Sequence, residues 1–246
     1  MSNNKTVSVG SLSQRDTITG MVIIAFMFFM FGFTSWINAI LIPYFKISFE
    51  LSHVQSYLVT FAFYISYLLF SVPASYLLKN VGFKKGMMIG FWIMSTGAFL
   101  FVPAAITMTY ELFLLGLFSI GAGLALLQSA ANPYITILGP KERAAQRFSI
   151  MGICNKGAGI LAPLLFAAVI FKATDSAMLD NISSMTQAEK DTVFHELIQR
   201  VIVPYACVGT FLFLIGLFIR YSPLPEIDTE HESEELAQAN SSKTSI

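Results

Sequence analysis

Six long apolar runs, separated by short polar segments, set the pattern of this chain. They cover residues 18–43, 54–78, 86–107, 111–138, 148–171 and 200–221. At a helical rise of about 1.5 Å per residue, each run is long enough to cross a hydrocarbon core about 30 Å thick. The pattern therefore predicts an all-α membrane protein, with a bundle of six transmembrane helices over residues 18–221.

The composition supports a membrane protein and narrows its partners. Of the 246 residues, 55% are hydrophobic and 12% are charged, whereas soluble domains have roughly 25% charged residues. The formal net charge is zero and there is no basic tail, so we expect the lipid bilayer as a partner and no nucleic acid. Cys154 and Cys207 both fall in predicted spans, where a thiol packs as a small apolar residue, so we expect no disulfide. No pattern indicates a cofactor or a metal site.

The charged loops predict how the helices are oriented. Segments 79–85 and 139–147 together carry six basic residues, whereas segment 44–53 carries only Lys46. Lys and Arg concentrate in short cytoplasmic loops, so we expect this side and both termini to be cytoplasmic. Residues 1–17 then form a cytoplasmic tail. Residues 222–246, which are acidic and rich in Ser and Asn, are expected to form a disordered cytoplasmic linker.

A few strongly polar residues interrupt the apolar runs, and they are candidates for the wall of a substrate pathway. The stretch 121–139 contains Gln128 and Asn132, which are four apart and so share one helix face. Asn38 in the first span and Asn155 in the fifth add two amides. Lipid cannot satisfy such groups, so they must face protein or a water-filled cavity. Each amide has two possible roles, a ligand contact or a hydrogen bond between helices.

Lys156 is the one charge predicted to lie deep in a span. It lies about nine residues into its run, roughly 14 Å at the helical rise, and snorkelling from that depth is incomplete. Placing a Lys there costs about 2.5–3.5 kcal/mol, so it should pair with a group or line a cavity. Lys156 has two possible roles. It takes part in substrate binding or coupling, or it is a structural residue whose ammonium is hydrogen-bonded by carbonyls and amides of neighbouring helices. Trp36 is a candidate aromatic surface for a sugar or, alternatively, an interfacial anchor.

A short amphipathic helix is predicted before the sixth span. Thr186 and Glu189 have the spacing of a capping box, and Phe194, Leu197 and Ile198 follow at helical spacing. We expect this helix to lie in the external loop and to lead into the last span.

The two halves of the bundle share a pattern. The first run of each half ends in a similar polar break, Asn38 with Pro43-Tyr44 and Asn132 with Pro133-Tyr134. Two three-helix repeats with opposite membrane orientation are the half-domain plan of a large class of transporters. The pattern therefore indicates two three-helix repeats.

Four runs carry a resemblance to a known family. They are INAILIPYFK (37–46), FAFYISYLLFSVPASYLLKNVGFKKGMMIG (61–90), ELFLLGLFSIGAGLALLQSAANPYITILGP (111–140) and RFSIMGICN (147–155). In these runs the chain resembles the N-terminal half of the fucose:proton symporter family, including its glucose/galactose transporter branch, within the major facilitator superfamily. The resemblance implies a sugar permease of a bacterial-type cytoplasmic (inner) membrane, with twelve helices in two bundles and a site between them. It also implies that the C-terminal bundle is absent here.

The chain departs from that family at two positions. The proton-coupled fucose symporter carries an Asp in the first helix and a Glu in the fourth, and the matching residues here are Ala39 and Gln128. Neither takes up a proton near neutral pH. Coupling to a proton, coupling to a sodium ion and uncoupled transport are therefore all possible. Lys156 is the remaining titratable candidate for coupling. Gln128 can still bond a sugar hydroxyl, as donor and as acceptor.

The leading hypothesis is a secondary transporter of a neutral hexose-type sugar that works by alternating access. The alternative is a truncated, transport-inactive fragment, or a split-gene half that requires a separate C-terminal partner. We do not expect an enzyme, because none of the three histidines lies near the bilayer centre and the spans hold no paired carboxylates. The candidate substrate ligands are Asn38, Gln128, Asn132, Asn155 and Trp36.

Overall fold

The computed structural model describes residues 14–170 and 184–224, and every regular element within them is helical. The elements are α1 (Gln14–Ser48), α2 (His53–Val81), α3 (Phe83–Thr107), α4 (Tyr110–Ile137), a 3-10 turn (Lys141–Arg143), α5 (Ala144–Ile170), α6 (Gln187–Gln199) and α7 (Ile202–Tyr221). Six helical segments are long and apolar enough to cross a membrane, and the last of them is α7 with α6 leading into it. The predicted six-helix bundle is confirmed.

The predicted terminal segments fall largely outside these residues. Positions 1–13 of the expected tail and 225–246 of the expected linker are not among the described residues. Within the described residues, helix α1 extends from Gln14 and so reaches beyond the apolar run that predicted it.

Two helix pairs are related as an internal repeat requires. Helix α5 packs along α1, and α2 packs along α4. In a three-helix repeat α1 corresponds to α4, α2 to α5 and α3 to α7. The pair of α1 with α5 is therefore the counterpart of the pair of α4 with α2. Both pairs close on a glycine: a Cβ at Gly32 would lie 2.1 Å from the carbonyl oxygen of Asn155, and a Cβ at Gly121 would lie 2.4 Å from that of Phe63. The equivalent crossings confirm the two three-helix repeats.

Helix α3 lies against both α4 and α7. It meets α4 where Gly90 faces Gly123, since a Cβ at Gly123 would lie 2.6 Å from the carbonyl oxygen of Gly90. It meets α7 where the hydroxyl of Ser95 donates to the carbonyl oxygen of Gly209 at 2.7 Å. Small residues let backbones approach closely, and van der Waals contact then holds membrane helices together. Helix α3 therefore joins α4 to α7.

Helix α6 is the predicted amphipathic helix. The backbone N–H of Thr186 donates to the Glu189 carboxylate at 2.8 Å, as part of a complete capping box. Phe194, Leu197 and Ile198 are buried, and the helix contacts α1 and α3. The prediction of a capped amphipathic helix is confirmed.

At each end of the bundle, a hydrogen bond joins two helices. At one end, the Lys84 ammonium donates to the carbonyl oxygen of Ser222 at 2.5 Å, which joins the start of α3 to the end of α7. At the other end, the Tyr110 hydroxyl donates to the carbonyl oxygen of Gln55 at 2.7 Å, which joins α4 to α2. The interior between these ends is apolar apart from a few side chains.

Helices α2 and α5 carry the most open faces of the bundle. Only 22% of the most apolar window of each is buried, less than in the other spans. Their exposed apolar side chains include Tyr57, Phe61, Tyr64, Leu68 and Val72 on α2, and Ile153, Ile160, Leu164 and Val169 on α5. Apolar surface of this extent has to be covered by lipid or by another polypeptide.

Candidate functional site

Two candidate residues, Trp36 of α1 and Lys156 of α5, lie together. The Lys156 ammonium lies over the indole of Trp36, 5.7 Å from the ring centroid, within the range of a cation–π contact. The ring rests against Gly159, where a Cβ would lie 2.5 Å from Trp36 Nε1. Both side chains are exposed, Trp36 by 41%. The fold thus places an aromatic surface and a positive charge side by side.

Lys156 lies near the middle of α5. The helix runs from residue 144 to residue 170, so Lys156 is about 18 Å from its start and about 21 Å from its end at the helical rise. No ion pair involves Lys156 among the described residues. The acidic side chains in that part of the chain lie at helix ends, in loops or on α6: Asp16, Glu50, Glu111, Glu142, Glu189, Asp191 and Glu196.

The amide of Asn155 contributes to helix packing. Its Nδ2 donates to the carbonyl oxygen of Phe28 on α1 at 3.1 Å, one turn before the close crossing at Gly32. Asn155 therefore fastens α5 to α1 and so positions Lys156, the next residue. Its Oδ1 makes no hydrogen bond within the described residues, so that atom and the second N–H of Nδ2 are available to a ligand.

Asn38 is buried inside the bundle, with 6% of its surface exposed. Its Oδ1 accepts a hydrogen bond from the Tyr205 hydroxyl on α7 at 2.9 Å. The Tyr205 ring stacks on Phe101 of α3, with centroids 4.0 Å apart. Nδ2 of Asn38 is buried and has no hydrogen-bond partner in the described part of the chain. Tyr205 therefore holds the amide oxygen and leaves the amide nitrogen unpaired.

Asn38 also lines a small cavity between α1, α2 and α4. The cavity has a volume of about 110 Å³, and its other lining residues are Ser35, Val59, Thr60, Phe63, Tyr64 and Leu117. The Ser35 hydroxyl donates to the carbonyl oxygen of Phe31 at 2.8 Å, so its oxygen can still accept. With Ser35, Asn38 and Thr60 among its lining residues, a cavity of this size has room for several waters or for part of a ligand.

Replacing Tyr205 by phenylalanine is expected to destabilise the bundle by about 1–2 kcal/mol, because both polar atoms of buried Asn38 would then lack partners. Stacking on Phe101 is kept by a phenyl ring. The variant Tyr205→Phe/Asn38→Leu should recover most of the loss, since removing both partners is far less costly than removing one. Thermal unfolding in detergent measures this. If the double variant loses as much stability as the two single variants, Tyr205→Phe and Asn38→Leu, lose together, the hydrogen bond contributes nothing.

Gln128 and Asn132 lie on α4, whereas the other candidates lie on α1 and α5. Gln128 is half-buried and Asn132 is exposed. Neither side chain makes a hydrogen bond within the described residues, and no contact of that kind joins them to Trp36 or Lys156. The structure thus brings together Trp36, Lys156 and Asn155, places Asn38 in the interior, and leaves the two α4 amides unpaired.

Sequence reasoning missed Tyr205. A buried tyrosine hydroxyl normally has a hydrogen-bond partner, so a tyrosine in the sixth span was a signal that another span holds an acceptor. The sequence does not show that α1 and α7 face each other at this depth, and the pairing with Asn38 depends on that contact.

A larger cavity lies at the α6 end of the bundle. Its volume is about 630 Å³, and it is lined by Phe49, Glu50, Met108, Asp191, Thr192, Phe194 and His195. None of the candidate site residues lines it. In the described residues, no group of three metal-ligating side chains occurs there or elsewhere.

Comparisons with known proteins agree with the fold. The Major Facilitator Superfamily matches residues 24–239. The L-fucose-proton symporter of Escherichia coli (strain K12) is 31% identical over 220 residues, which are 89% of this chain and 50% of the relative. The glucose/galactose transporter of Brucella abortus biovar 1 (strain 9-941) is 37% identical over 177 residues, 72% of this chain and 43% of the relative.

A solved structure is similar as well. The crystal structure of the Major Facilitator Superfamily transporter FucP in the outward conformation superimposes with a TM-score of 0.73 at 32% identity, over 87% of this chain and 51% of that one. The chain spans about half the length of the relatives it matches.

Proposed function

Because the chain belongs to the Major Facilitator Superfamily, we propose that it is the N-terminal half of a secondary transporter that carries a neutral hexose-type sugar by alternating access. The two relatives described above are named for L-fucose and for glucose and galactose, which supports a sugar as the substrate. The membrane is a bacterial-type cytoplasmic (inner) membrane, and both termini lie on its cytoplasmic side.

The observation that carries the proposal is the unpaired amide of Gln128 in the apolar helix α4. Lipid offers no partner for an amide, so Gln128 has to face a water-filled cavity or a ligand. A sugar hydroxyl donates and accepts, and so does an amide. Asn132, one turn further along, extends the same face, and Trp36 offers an aromatic surface for the apolar face of a sugar ring. Asn38 and the free Oδ1 of Asn155 complete the proposed ligand set.

Coupling belongs to the proposal as well. A proton is the coupling ion in the name of the fucose relative, and a sodium ion is the alternative. No Asp or Glu lies in the middle of a described span, which makes Lys156 the titratable group at depth. We therefore propose Lys156 as the coupling residue if transport is driven by protons.

A second candidate function is an inactive half that requires a separate C-terminal partner. The relatives are about twice as long as the matched region, and the open apolar faces of α2 and α5 would suit contact with a second bundle. In that case this chain binds or moves no sugar until the partner is supplied, because alternating access needs two bundles that rock around one site.

The experiment is uptake of radiolabelled glucose, galactose and L-fucose by cells that lack their own permeases for these sugars. The complete gene product is expressed alone or with a C-terminal six-helix half from a relative, with and without a sodium gradient. Uptake of at least one sugar is expected, and Gln128→Leu should lower it about tenfold or more, since a buried polar partner is lost. Gln146→Leu, at an exposed amide near the start of α5, is the matched control. Absence of uptake of all three sugars in every arrangement contradicts the proposal.

A further inference from the structure

We propose that Trp36 and Lys156 form a binding subsite for the carboxylate of a sugar acid, so that the transporter also accepts a monoanionic sugar such as a hexuronate. The inference rests on the proposed sugar transport and extends its substrate class. It starts from the one charged side chain in the middle of a described span.

The charge of Lys156 is not neutralised by the described part of the chain. Its recorded contact is the Trp36 indole, 5.7 Å from ammonium to ring centroid, and it takes part in no ion pair there. A cation–π contact offsets only part of the cost of an ammonium at this depth, so Lys and Arg side chains in membrane spans pair or line water-filled cavities. The Lys156 ammonium is therefore suited to bind an anion that the described part of the chain does not supply.

Lipid headgroups are too distant to be that anion. Lys156 lies about 18 Å and about 21 Å from the two ends of α5 at the helical rise. A lysine side chain reaches only about 6 Å, and snorkelling is complete only near helix ends. The anion must instead enter the membrane interior in a cavity, as a transported molecule does.

The indole beside Lys156 suits a sugar ring. Trp36 is 41% exposed, and its Nε1–H makes no hydrogen bond within the described residues. The ring packs against the backbone of Gly159. A side chain at that position would clash with the ring, since a Cβ there would lie 2.5 Å from Nε1. The subsite thus offers an apolar ring face, one indole donor and an ammonium. A hexuronate combines the matching groups: an apolar ring face, hydroxyls and a carboxylate.

The number of charges selects the class of anion. One ammonium neutralises one carboxylate, and the pair enters the low-dielectric interior with no net charge. A sugar phosphate with two negative charges would leave one charge uncompensated, which is costly to place there.

The first test is uptake of labelled galacturonate and galactose by the complete gene product in phosphatidylcholine proteoliposomes. Both should be taken up, and Lys156→Met should lower galacturonate uptake by about 30-fold or more, because one partner of a charge pair is removed. With no ion gradient, so that coupling through Lys156 plays no part, Lys156→Met should lower counterflow of galactose much less than counterflow of galacturonate, and Lys156→Arg should retain galacturonate uptake. Lys85→Met, at an exposed lysine near the end of the bundle, is the matched control.

The second test reads the subsite directly. The chain has two tryptophans, and Trp92→Phe leaves Trp36 as the reporter. That change is expected to be tolerated because the Trp92 ring stacks on Phe213 and its buried Nε1 has no hydrogen-bond partner in the described part of the chain. Galacturonate should change Trp36 fluorescence saturably, acetate and glucose 6-phosphate far less, and the change should be lost in Lys156→Met.

The outcomes separate the two proposals. Galactose uptake without galacturonate uptake overturns the subsite and leaves the proposed function standing. Equal effects of Lys156→Met and Lys85→Met on galacturonate also overturn the subsite. If neither sugar is taken up, with or without a supplied C-terminal half, the proposed function fails, and the fluorescence titration then decides whether the subsite exists. A fluorescence change on replacing phosphatidylcholine by phosphatidylglycerol, with no response to galacturonate, would assign Lys156 to lipid and overturn it.

Discussion

Replacing Gly32 by alanine is expected to destabilise the bundle by about 3 kcal/mol or more, the upper part of the range for overpacking. The added Cβ would lie 2.1 Å from the carbonyl oxygen of Asn155, and backbone cannot move aside as a flexible side chain can. Helices α1 and α5 would have to separate, which also breaks the bond from Asn155 to Phe28. Thermal unfolding in detergent, followed by tryptophan fluorescence, should show a fall in Tm of about 6–12 °C.

Gly152→Ala on α5 is the matched control for Gly32→Ala. No atom lies within 4 Å of a Cβ built at Gly152, so the same change adds no clash there. Alanine has a higher helix propensity than glycine by up to about 1 kcal/mol, so the control should be neutral or slightly stabilising. Equal losses at both positions would show that the α1–α5 crossing is not as close as the structure has it.

Replacing Arg147 by methionine is expected to cost about 3 kcal/mol, because its buried guanidinium serves several backbone acceptors at once. Nε donates to the carbonyl oxygen of Ile135 at 2.6 Å, and the two Nη atoms donate to those of Pro140 and Thr136, both at 2.9 Å. These acceptors lie in and just after the last turn of α4, where helical carbonyls lack intrahelical donors. The positive charge there also favours the C-terminal end of the helix dipole.

Two further variants test the reason for the Arg147 effect. Arg147→Lys keeps the charge but not the planar fork, so it should recover only part of the lost stability. Arg143→Met removes an exposed arginine of the same loop and should change Tm little. Unfolding transitions of the three variants measure this. If Arg147→Lys is as stable as the parent, charge alone explains the effect and the array of hydrogen bonds does not.

The helices and their repeat could be predicted from sequence for a physical reason. A span must be apolar over a length set by the bilayer, so α1 to α5 and α7 were visible as runs. Helix α6 was visible because Thr186 and Glu189 form a capping box before an apolar stripe. The polar breaks after Asn38 and Asn132 indicated the repeat.

The contacts between helices could not be predicted in the same way. Asn38 and Asn155 look the same in the sequence, since each is a single amide in an apolar run. In the structure, however, Asn38 accepts a hydrogen bond from Tyr205, whereas Asn155 donates to a backbone carbonyl of α1. Which way an amide points depends on how far each helix is rotated about its axis, and an apolar run that is hydrophobic all round does not fix that rotation. The contact of Lys156 with Trp36 depended on the rotation of two helices at once.

The most direct test of sugar transport by this protein is counterflow in proteoliposomes of the purified complete gene product. Vesicles preloaded with unlabelled galactose, glucose or L-fucose are diluted into a trace of the same labelled sugar, with no ion gradient. Transient accumulation of label above equilibrium is predicted for at least one sugar, and Gln128→Leu should abolish it, because exchange requires binding but no driving ion. Absence of counterflow for all three sugars by folded protein, both alone and with a supplied C-terminal half, would contradict the proposed function.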